Sequence, residues 1–162
     1  PALKAEHPMT SAVIAAIPPE RADYRPHSDS RSAFDLAWHI VSAEIKYLDA
    51  IASGVFPHDL KPTPDDIRRP SDILAWYTER FDPAVKRLET TSGDELLRTV
   101  DFYGLRTFPA IVLLQIILNH TIHHRGQLST YLRPMGAKVP SLYGPSYDAG
   151  GFRGGTVSRT GG

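Results

Sequence analysis

Four segments of the chain repeat apolar residues at helical spacing. The first runs from Met9 to Ile17 and predicts a short helix with Pro8 near its first turn. In the second, apolar residues recur from Phe34 to Ile51, after a capping-box pattern at Ser32 and before a stop at Gly54. We therefore expect a short first helix and a long second one.

The third segment follows a proline-rich connection over residues 55–70. Its apolar residues repeat at intervals of three and four from Leu74 to Leu88, and Ser71 can cap the helix that they predict. Pro83 lies inside this pattern, so we expect a kink or a break there. Residues 96–105 have no clear periodicity and fit either a short extended pair or a linker.

The fourth segment has the strongest pattern. Pro109 suits the first turn of a helix, and the run from Ile111 to Leu118 is apolar nearly all round, as expected for a helix at the centre of a small bundle. The pattern continues to Leu132, and Pro134 follows as a stop signal. The four segments together predict an all-α fold.

Angular spacing shows which residues of the fourth predicted helix share a face. At 100° per residue, one narrow stripe contains apolar residues at its start and polar residues at its end: Leu113, Ile116, His120, His124, Gln127 and Tyr131. His123 lies about 100° from His124, so we expect it to flank the stripe or to contact one of the stripe's residues as a supporting partner. The stripe predicts a pocket that opens toward Gln127 and Tyr131.

Composition indicates one globular domain followed by a short flexible tail. The 162 residues are 41% hydrophobic and 22% charged, the balance of an ordinary globular protein. We predict one domain over residues 1–149. Seven of the twelve glycines lie in residues 144–162, which predicts a flexible tail over residues 150–162.

The charge balance and the absence of cysteine exclude several classes of function. Eighteen Lys and Arg balance eighteen Asp and Glu, so nothing favours a nucleic acid or an anionic membrane as a partner. No cysteine is present to form a disulfide, bind a metal or act as a nucleophile. The chain also lacks an apolar run near 18 residues and a signal-peptide pattern at its start, and we expect a cytoplasmic protein.

His120 and His124 have the spacing of a two-histidine metal clamp. Residues four apart on a helix lie one turn above the other, and a third ligand must then arrive from another element. Of the remaining histidines, only His39 lies in a well-patterned helix, although a lone helical histidine is more often a core residue than a ligand. Three histidines leave a coordination position open, as in catalytic sites.

Two familiar metal motifs do not fit. A zincin needs Glu directly after the first histidine, and that position is Thr121. A di-iron bundle needs glutamates on the same helix, yet no acidic residue lies between Pro109 and Leu132. The candidate is therefore a site built from histidines alone.

The chain resembles the DinB-like family of metal-binding helical bundles over roughly residues 9–147. The resemblance is carried by these short segments: Ala37-Trp38-His39-Ile40, Asn119-His120, His123-His124-Arg125-Gly126-Gln127-Leu128, Leu132-Arg133, Gly136 and Val139-Pro140. It implies a four-helix bundle of up-up-down-down type with long loops, often dimeric, and a zinc or nickel ion on His39, His120 and His124. The first helix looks shorter than the family pattern.

The resemblance, with the open coordination position, leaves three functions to compare. The leading hypothesis is a metal-dependent transferase that joins a low-molecular-weight thiol to an electrophilic substrate. The alternatives are a hydrolase that uses metal-bound hydroxide, for which Glu44 or Asp49 could serve as a base only by turning inward, and a non-catalytic metal-binding or structural module. We expect a small-molecule substrate and, from a short first helix that would expose apolar surface, a homodimer.

Overall fold

Helices make up most of the fold. A computed structural model of the protein describes residues 1–57 and 62–149. Within these residues the helices and strands are α1 (Ala2–Ala15), α2 (Ala33–Ser53), α3 (Pro70–Glu89), α4 (Gly93–Leu97), β1 (Thr99–Phe102), β2 (Arg106–Pro109) and α5 (Ala110–Leu132), with short 3-10 turns at Pro19–Arg21 and Tyr147–Ala149. His58 and the predicted flexible tail over residues 150–162 lie outside the described residues.

Contacts between the four long helices fix their directions. Helices α2 and α3 meet at Glu44–Tyr77 and at Asp49–Arg87. Helices α1 and α3 meet at Lys4–Glu89 and at His7–Phe81. Helices α2 and α5 meet at His39–His120 and in the apolar cluster that contains Tyr47 and Leu113. Helices α2 and α3 therefore run in parallel, and α1 and α5 run opposite to them. This order is up, down, down, up, which differs from the up-up-down-down order that the resemblance implied.

The long connection between α2 and α3 explains this order. A helix the length of α2 spans about 30 Å, and sixteen extended residues reach about 53 Å. The chain between Gly54 and Arg69 is thus long enough to return to the end where α2 began. Parallel packing of α2 on α3 follows from that return.

Two apolar clusters form the core. The larger one draws on α1, α2, α3 and the second half of α5, and the smaller one joins the end of α2 to the start of α5 and to the β-hairpin. The apolar start of α5 is not buried around its whole circumference, because Ile111 is 42% exposed and Val112 is 38% exposed. One face of α5 is buried, and it contains Ala110, Leu113, Ile117, Thr121, Arg125, Leu128, Tyr131 and Leu132.

Helix α1 is longer than the sequence pattern predicts. It begins at Ala2 and continues through Pro8, which costs one backbone hydrogen bond. Leu3 before the proline and Val13 and Ile14 after it are all buried in the larger cluster, and this tertiary packing outweighs the local penalty. The short first helix was the sequence argument for a homodimer, and that argument does not hold.

Helix α3 differs from its prediction at the start, and of the two outcomes expected at Pro83 the break does not occur. It begins at Pro70, one residue before the predicted cap Ser71, and the Asp72 carboxylate accepts hydrogen bonds from the backbone N–H groups of Arg68 and Arg69. Proline is well tolerated at the first helical position. The helix runs through Pro83 without a break to Glu89.

Residues 93–109 form a short helix and an antiparallel hairpin, so an all-α description misses a small sheet. Thr99 pairs with Pro109 and Phe102 with Arg106. The turn places Tyr103 at φ 57° and Gly104 at φ 67°, the left-handed region that tight hairpin turns require. Of the two options for residues 96–105, the extended pair is the correct one.

No helix in the described part of the chain is both long enough and apolar enough to cross a membrane.

Candidate metal centre

Three histidines from two helices meet between α2 and α5. His39 projects from α2, and His120 and His124 project from successive turns of α5. One ring nitrogen from each lies within 4.8 Å of the other two. The Nε2 atoms of His39 and His120 are 3.0 Å apart. The antiparallel packing of α2 on α5 thus joins a pair that is local in sequence to a histidine 81 residues earlier in the chain.

The three rings are half-buried, and burial keeps those of His39 and His120 neutral. Burial, with smaller contributions from the positive charge of Arg31 and from His124, lowers the pKa of His39 to about 4. Burial, followed by the neighbouring histidines and Arg31, lowers the pKa of His120 to about 4 as well. Both imidazoles are therefore unprotonated at neutral pH, the form in which a histidine binds a metal.

This donor set fits a divalent transition metal. Three imidazole nitrogens converge, and neutral imidazole is a good ligand for zinc, copper, iron and nickel. Within the described residues, no carboxylate belongs to the group. Three ligands leave a position for a further molecule on the metal. The residues His39, His120 and His124 could therefore hold an ion with one open position.

Gln127 contacts the triad, whereas His123 lies outside it. The side-chain oxygen of Gln127 accepts a hydrogen bond of 2.9 Å from Nδ1 of His124, which leaves Nε2 of that ring for a metal. His123 is exposed, and its ring centroid is 4.9 Å from that of His124. Gln127 thus orients a member of the triad, and His123 flanks it.

Tyr131 is buried in the core near Tyr24. Its side chain is 3% exposed, and its ring packs edge-on against Tyr24 with centroids 5.9 Å apart. Its hydroxyl has no hydrogen-bond partner among residues 1–57 and 62–149. A role for Tyr131 at a substrate pocket stays a prediction.

A second group of polar residues, which the sequence reading missed, lies inside the bundle beside the triad. We call it the buried polar cluster, and it comprises Glu6, Thr10, Glu44, Tyr77 and Arg125, with the 65% exposed Tyr143 at its outer edge. Arg125 is 1% exposed. Its guanidinium lies 2.6 Å from the Glu6 carboxylate and also donates hydrogen bonds to Thr10 and Tyr143.

Glu44 is the second titratable residue of the buried polar cluster. It is fully buried, and Tyr77 donates a hydrogen bond to one of its oxygens. The other oxygen has no partner in the part of the chain that the structure describes. Burial raises the pKa of Glu44 to about 7, although the Tyr77 hydrogen bond and the charge of Arg125 act in the opposite direction.

A signal for Arg125 was present in the sequence. It lies on the same side of α5 as Ile117 and Leu128, which are both fully buried. Helical angles put His120 and His124 at one edge of this buried face. A charged residue on the apolar side of a helix is a reason to look for a buried partner, but the partner Glu6 lies 119 residues away and no local pattern marks it.

Comparisons with known proteins agree with the fold. The chain is 30% identical over 134 residues to the uncharacterized protein YjoA of Bacillus subtilis (strain 168), covering 79% of this chain and 82% of that protein. It is 31% identical over 114 residues to the uncharacterized protein YrdA of the same organism, covering 68% of this chain and 65% of that protein.

Two crystal structures of DinB-like proteins are similar to this fold. The structure of YjoA from Bacillus subtilis superposes with a TM-score of 0.69 at 26% identity, covering 86% of this chain and 94% of that chain. A DinB-like protein from Bacillus cereus ATCC 10987 gives a TM-score of 0.70 at 26% identity, with 86% and 92% covered. The DinB family model matches residues 3–151. This match spans nearly the whole sequence, and the chain therefore belongs to the DinB family.

Proposed function

We propose that the protein is a metal-dependent transferase that joins a small thiol to an electrophilic substrate, with zinc or nickel held by His39, His120 and His124. The observation that carries the proposal is the convergence of three imidazole nitrogens from α2 and α5 in one half-buried group, in which burial keeps His39 and His120 neutral. Three nitrogen ligands leave one position for a substrate atom. The arrangement therefore suits binding of a ligand in addition to holding an ion.

The chain's own residues bind the ion and orient its ligands, and the nucleophile comes from a second substrate. A bound divalent ion supplies positive charge, which favours the deprotonated form of a thiol. Because the chain has no cysteine, the sulfur must arrive on a small molecule. In the transfer, the sulfur forms a bond to an electrophilic carbon, the leaving group departs with the electron pair of the broken bond, and the thiol proton passes to solvent.

The test uses protein purified without a histidine tag and loaded with zinc or nickel. A small thiol and a chlorodinitrobenzene are added, and the coloured thioether product is followed. We expect a metal-dependent rate that His120→Ala reduces to the uncatalysed value and that His123→Ala leaves intact. Equal rates for the wild type and His120→Ala would contradict the proposal.

The hydrolase alternative lacks a base in this structure. Glu44 does turn inward, but it is bound to Tyr77, and no histidine of the triad contributes to its raised pKa. Asp49 pairs with Arg87 on the surface. Among the described residues, neither candidate carboxylate contacts the triad. Thiol transfer needs no such base once the thiol is deprotonated, so the geometry favours it.

The alternative of a purely structural ion is also disfavoured. Helices α2 and α5 already share both apolar clusters, so their packing does not depend on a metal bridge. A structural ion would make folding depend on metal. Thermal melts with and without a chelator separate the two cases: unfolding on chelation would support a structural role, and a small change in Tm would support the open site.

A further inference from the structure

A stripe of side chains on α2 leads from the triad to the β-hairpin. His39, Ala43 and Lys46 lie within about 60° of one another around the helix axis, and Lys46 is about 10 Å along that axis from His39. Ala50 continues the stripe and is 1% exposed, whereas Ala43 and Lys46 are half-buried. The stripe is therefore covered at its far end and partly exposed next to the triad.

A matching stripe on α5 lies beside it. His120, Ile116 and Leu113 lie within about 60° of one another around α5, and the antiparallel contact of His39 with His120 sets the two stripes side by side. Ala43, Ile116 and Leu113 all pack in the smaller apolar cluster. Ile116 is half-buried and Leu113 is fully buried. We call the surface between Ala43 on α2 and Ile116 on α5, which runs from the triad to the hairpin, the triad groove.

Aromatic side chains of the hairpin close the far end of the triad groove. Nζ of Lys46 donates a hydrogen bond of 3.0 Å to the hydroxyl of Tyr103 and lies 4.8 Å from the centroid of its ring. The centroids of Tyr103 and Phe102 are 4.8 Å apart, and those of Phe102 and Phe108 are 5.9 Å apart. All three rings are only half-buried. The groove therefore ends against partly exposed aromatic rings.

The backbone of Tyr103 adopts a conformation that is unusual for its residue type. Its φ is 57°, in the left-handed region that few residues other than glycine and asparagine enter. Residues held in such conformations are concentrated at functional sites. The hydrogen bond from Lys46 fixes the ring of this strained residue over the stripe on α2. The turn thus presents an aromatic side chain to the groove where glycine would be easier to accommodate.

We propose that the triad groove binds an aromatic ring, and that the electrophilic substrate of the transfer is therefore aromatic. The inference rests on the proposed function, and it names the substrate class that this function leaves open. A ring in the groove would lie on Ala43 and Ile116 with its edge or face against Tyr103, an arrangement that aromatic pairs favour. Its other end would point toward the triad, where the proposed function places the sulfur. Tyr103 and Ala43 are in this view specificity-determining residues.

The first test measures binding of meta-dinitrobenzene, an aromatic probe that has no leaving group and so does not react. It is titrated into the full chain, metal-free and zinc-loaded, and saturation-transfer NMR gives its Kd. We expect Ala43→Leu, which fills the groove, to raise the Kd about tenfold or more. Tyr103→Ala should raise it about threefold to tenfold through loss of the ring contact, and Tyr103→Phe, which keeps the ring, should bind like the wild type.

The matched control is Tyr147→Ala, because Tyr147 is a 65% exposed tyrosine that contacts Arg133 beyond the opposite end of the bundle. We expect it to bind the probe like the wild type. A thermal melt of each variant, with a zinc titration, shows that the fold and the triad are intact.

The second test compares two electrophiles in the transfer assay with one thiol. Chlorodinitrobenzene is aromatic, and iodoacetamide is small and has no ring to occupy the groove. We expect Tyr103→Ala to lower the ratio of their metal-dependent rates about threefold to tenfold, and Tyr103→Phe to leave that ratio unchanged.

The possible failures can be told apart. Failure of the wild type to bind the probe, or equal Kd values for the folded wild type, Ala43→Leu and Tyr103→Ala, overturns the inference whatever the transfer assay shows. Absence of metal-dependent transfer with both electrophiles, while probe binding still depends on Ala43 and Tyr103, overturns the proposed function and supports the groove as an aromatic-binding site.

Discussion

The histidine triad and the buried polar cluster draw on the same two helices and yet have opposite properties. His124 and Arg125 are adjacent in α5, and His39 and Glu44 are five residues apart in α2. The triad is half-buried, burial keeps His39 and His120 neutral, and its nitrogens converge on one point. In the cluster, Glu44 and Arg125 are fully buried, and the arginine is paired with Glu6.

The comparison shows how rotation about a helix axis separates two kinds of polar site. Consecutive residues of a helix point about 100° apart. His124 therefore reaches the groove toward α2, and Arg125 reaches into the bundle toward α1. A buried charge needs a partner, whereas a metal ligand needs an unprotonated nitrogen left open to an ion. The two residues satisfy these different requirements side by side.

The largest expected effect is a loss of stability when the positive charge of Arg125 is removed from the buried polar cluster. Arg125→Ala leaves the Glu6 carboxylate, whose side chain is 12% exposed, without its ion-pair partner. Breaking a buried ion pair on one side costs about 3–5 kcal/mol of unfolding free energy. Urea unfolding measures it. Arg133→Ala is the control, because Arg133 is 57% exposed and its pair with Asp148 should contribute about 1 kcal/mol or less. Equal losses in both variants would contradict the comparison.

The next effect concerns the triad and should appear in metal affinity more than in stability. His120→Ala removes one of three ligands, and we expect the affinity for Zn²⁺ to fall more than about 100-fold, because even loss of an outer-shell partner costs about 10- to 100-fold. Calorimetric titration of tag-free protein measures it. His123→Ala should bind like the wild type. A metal-free His120→Ala protein that is destabilised as much as Arg125→Ala would show that the triad is part of the structural core.

The smallest effect is a pH dependence that separates Glu44 from the triad. The pKa of Glu44 is raised from 4.5 to about 7 in the folded protein. The contribution of protonated Glu44 to the free energy of unfolding is therefore fully present below about pH 4.5, and it is lost as the pH rises through about 7. Between about pH 5 and pH 7 this amounts to about 2 kcal/mol of unfolding free energy.

Three groups face the Glu44 carboxyl from the helices packed against it. Tyr77 from α3 and Arg125 from α5 favour its ionised form, and Glu6 from α1 opposes that form. In Glu44→Gln we expect this loss of stability with rising pH to disappear, as measured by urea unfolding at both pH values. The same slope in the variant and the wild type would show that another group is responsible.

Much of the site followed from local pattern. The four-residue spacing of His120 and His124 on a well-patterned helix indicated the clamp, and the position of His39 in the second pattern suggested the third ligand. The resemblance of short segments led to the correct family. Local pattern failed where distant packing decided the outcome: α1 runs through Pro8 because Leu3 and Val13 are buried, and the hairpin at residues 99–109 is stabilised by contacts with the end of α2.

By itself the sequence determined the long helices and the angular positions of residues along them, because both depend on the fixed geometry of the α-helix. The order of helix directions and the partners of Arg125 and Glu44 were decided only by the tertiary structure. These features depend on residues that are far apart in sequence, and only packing brings them together.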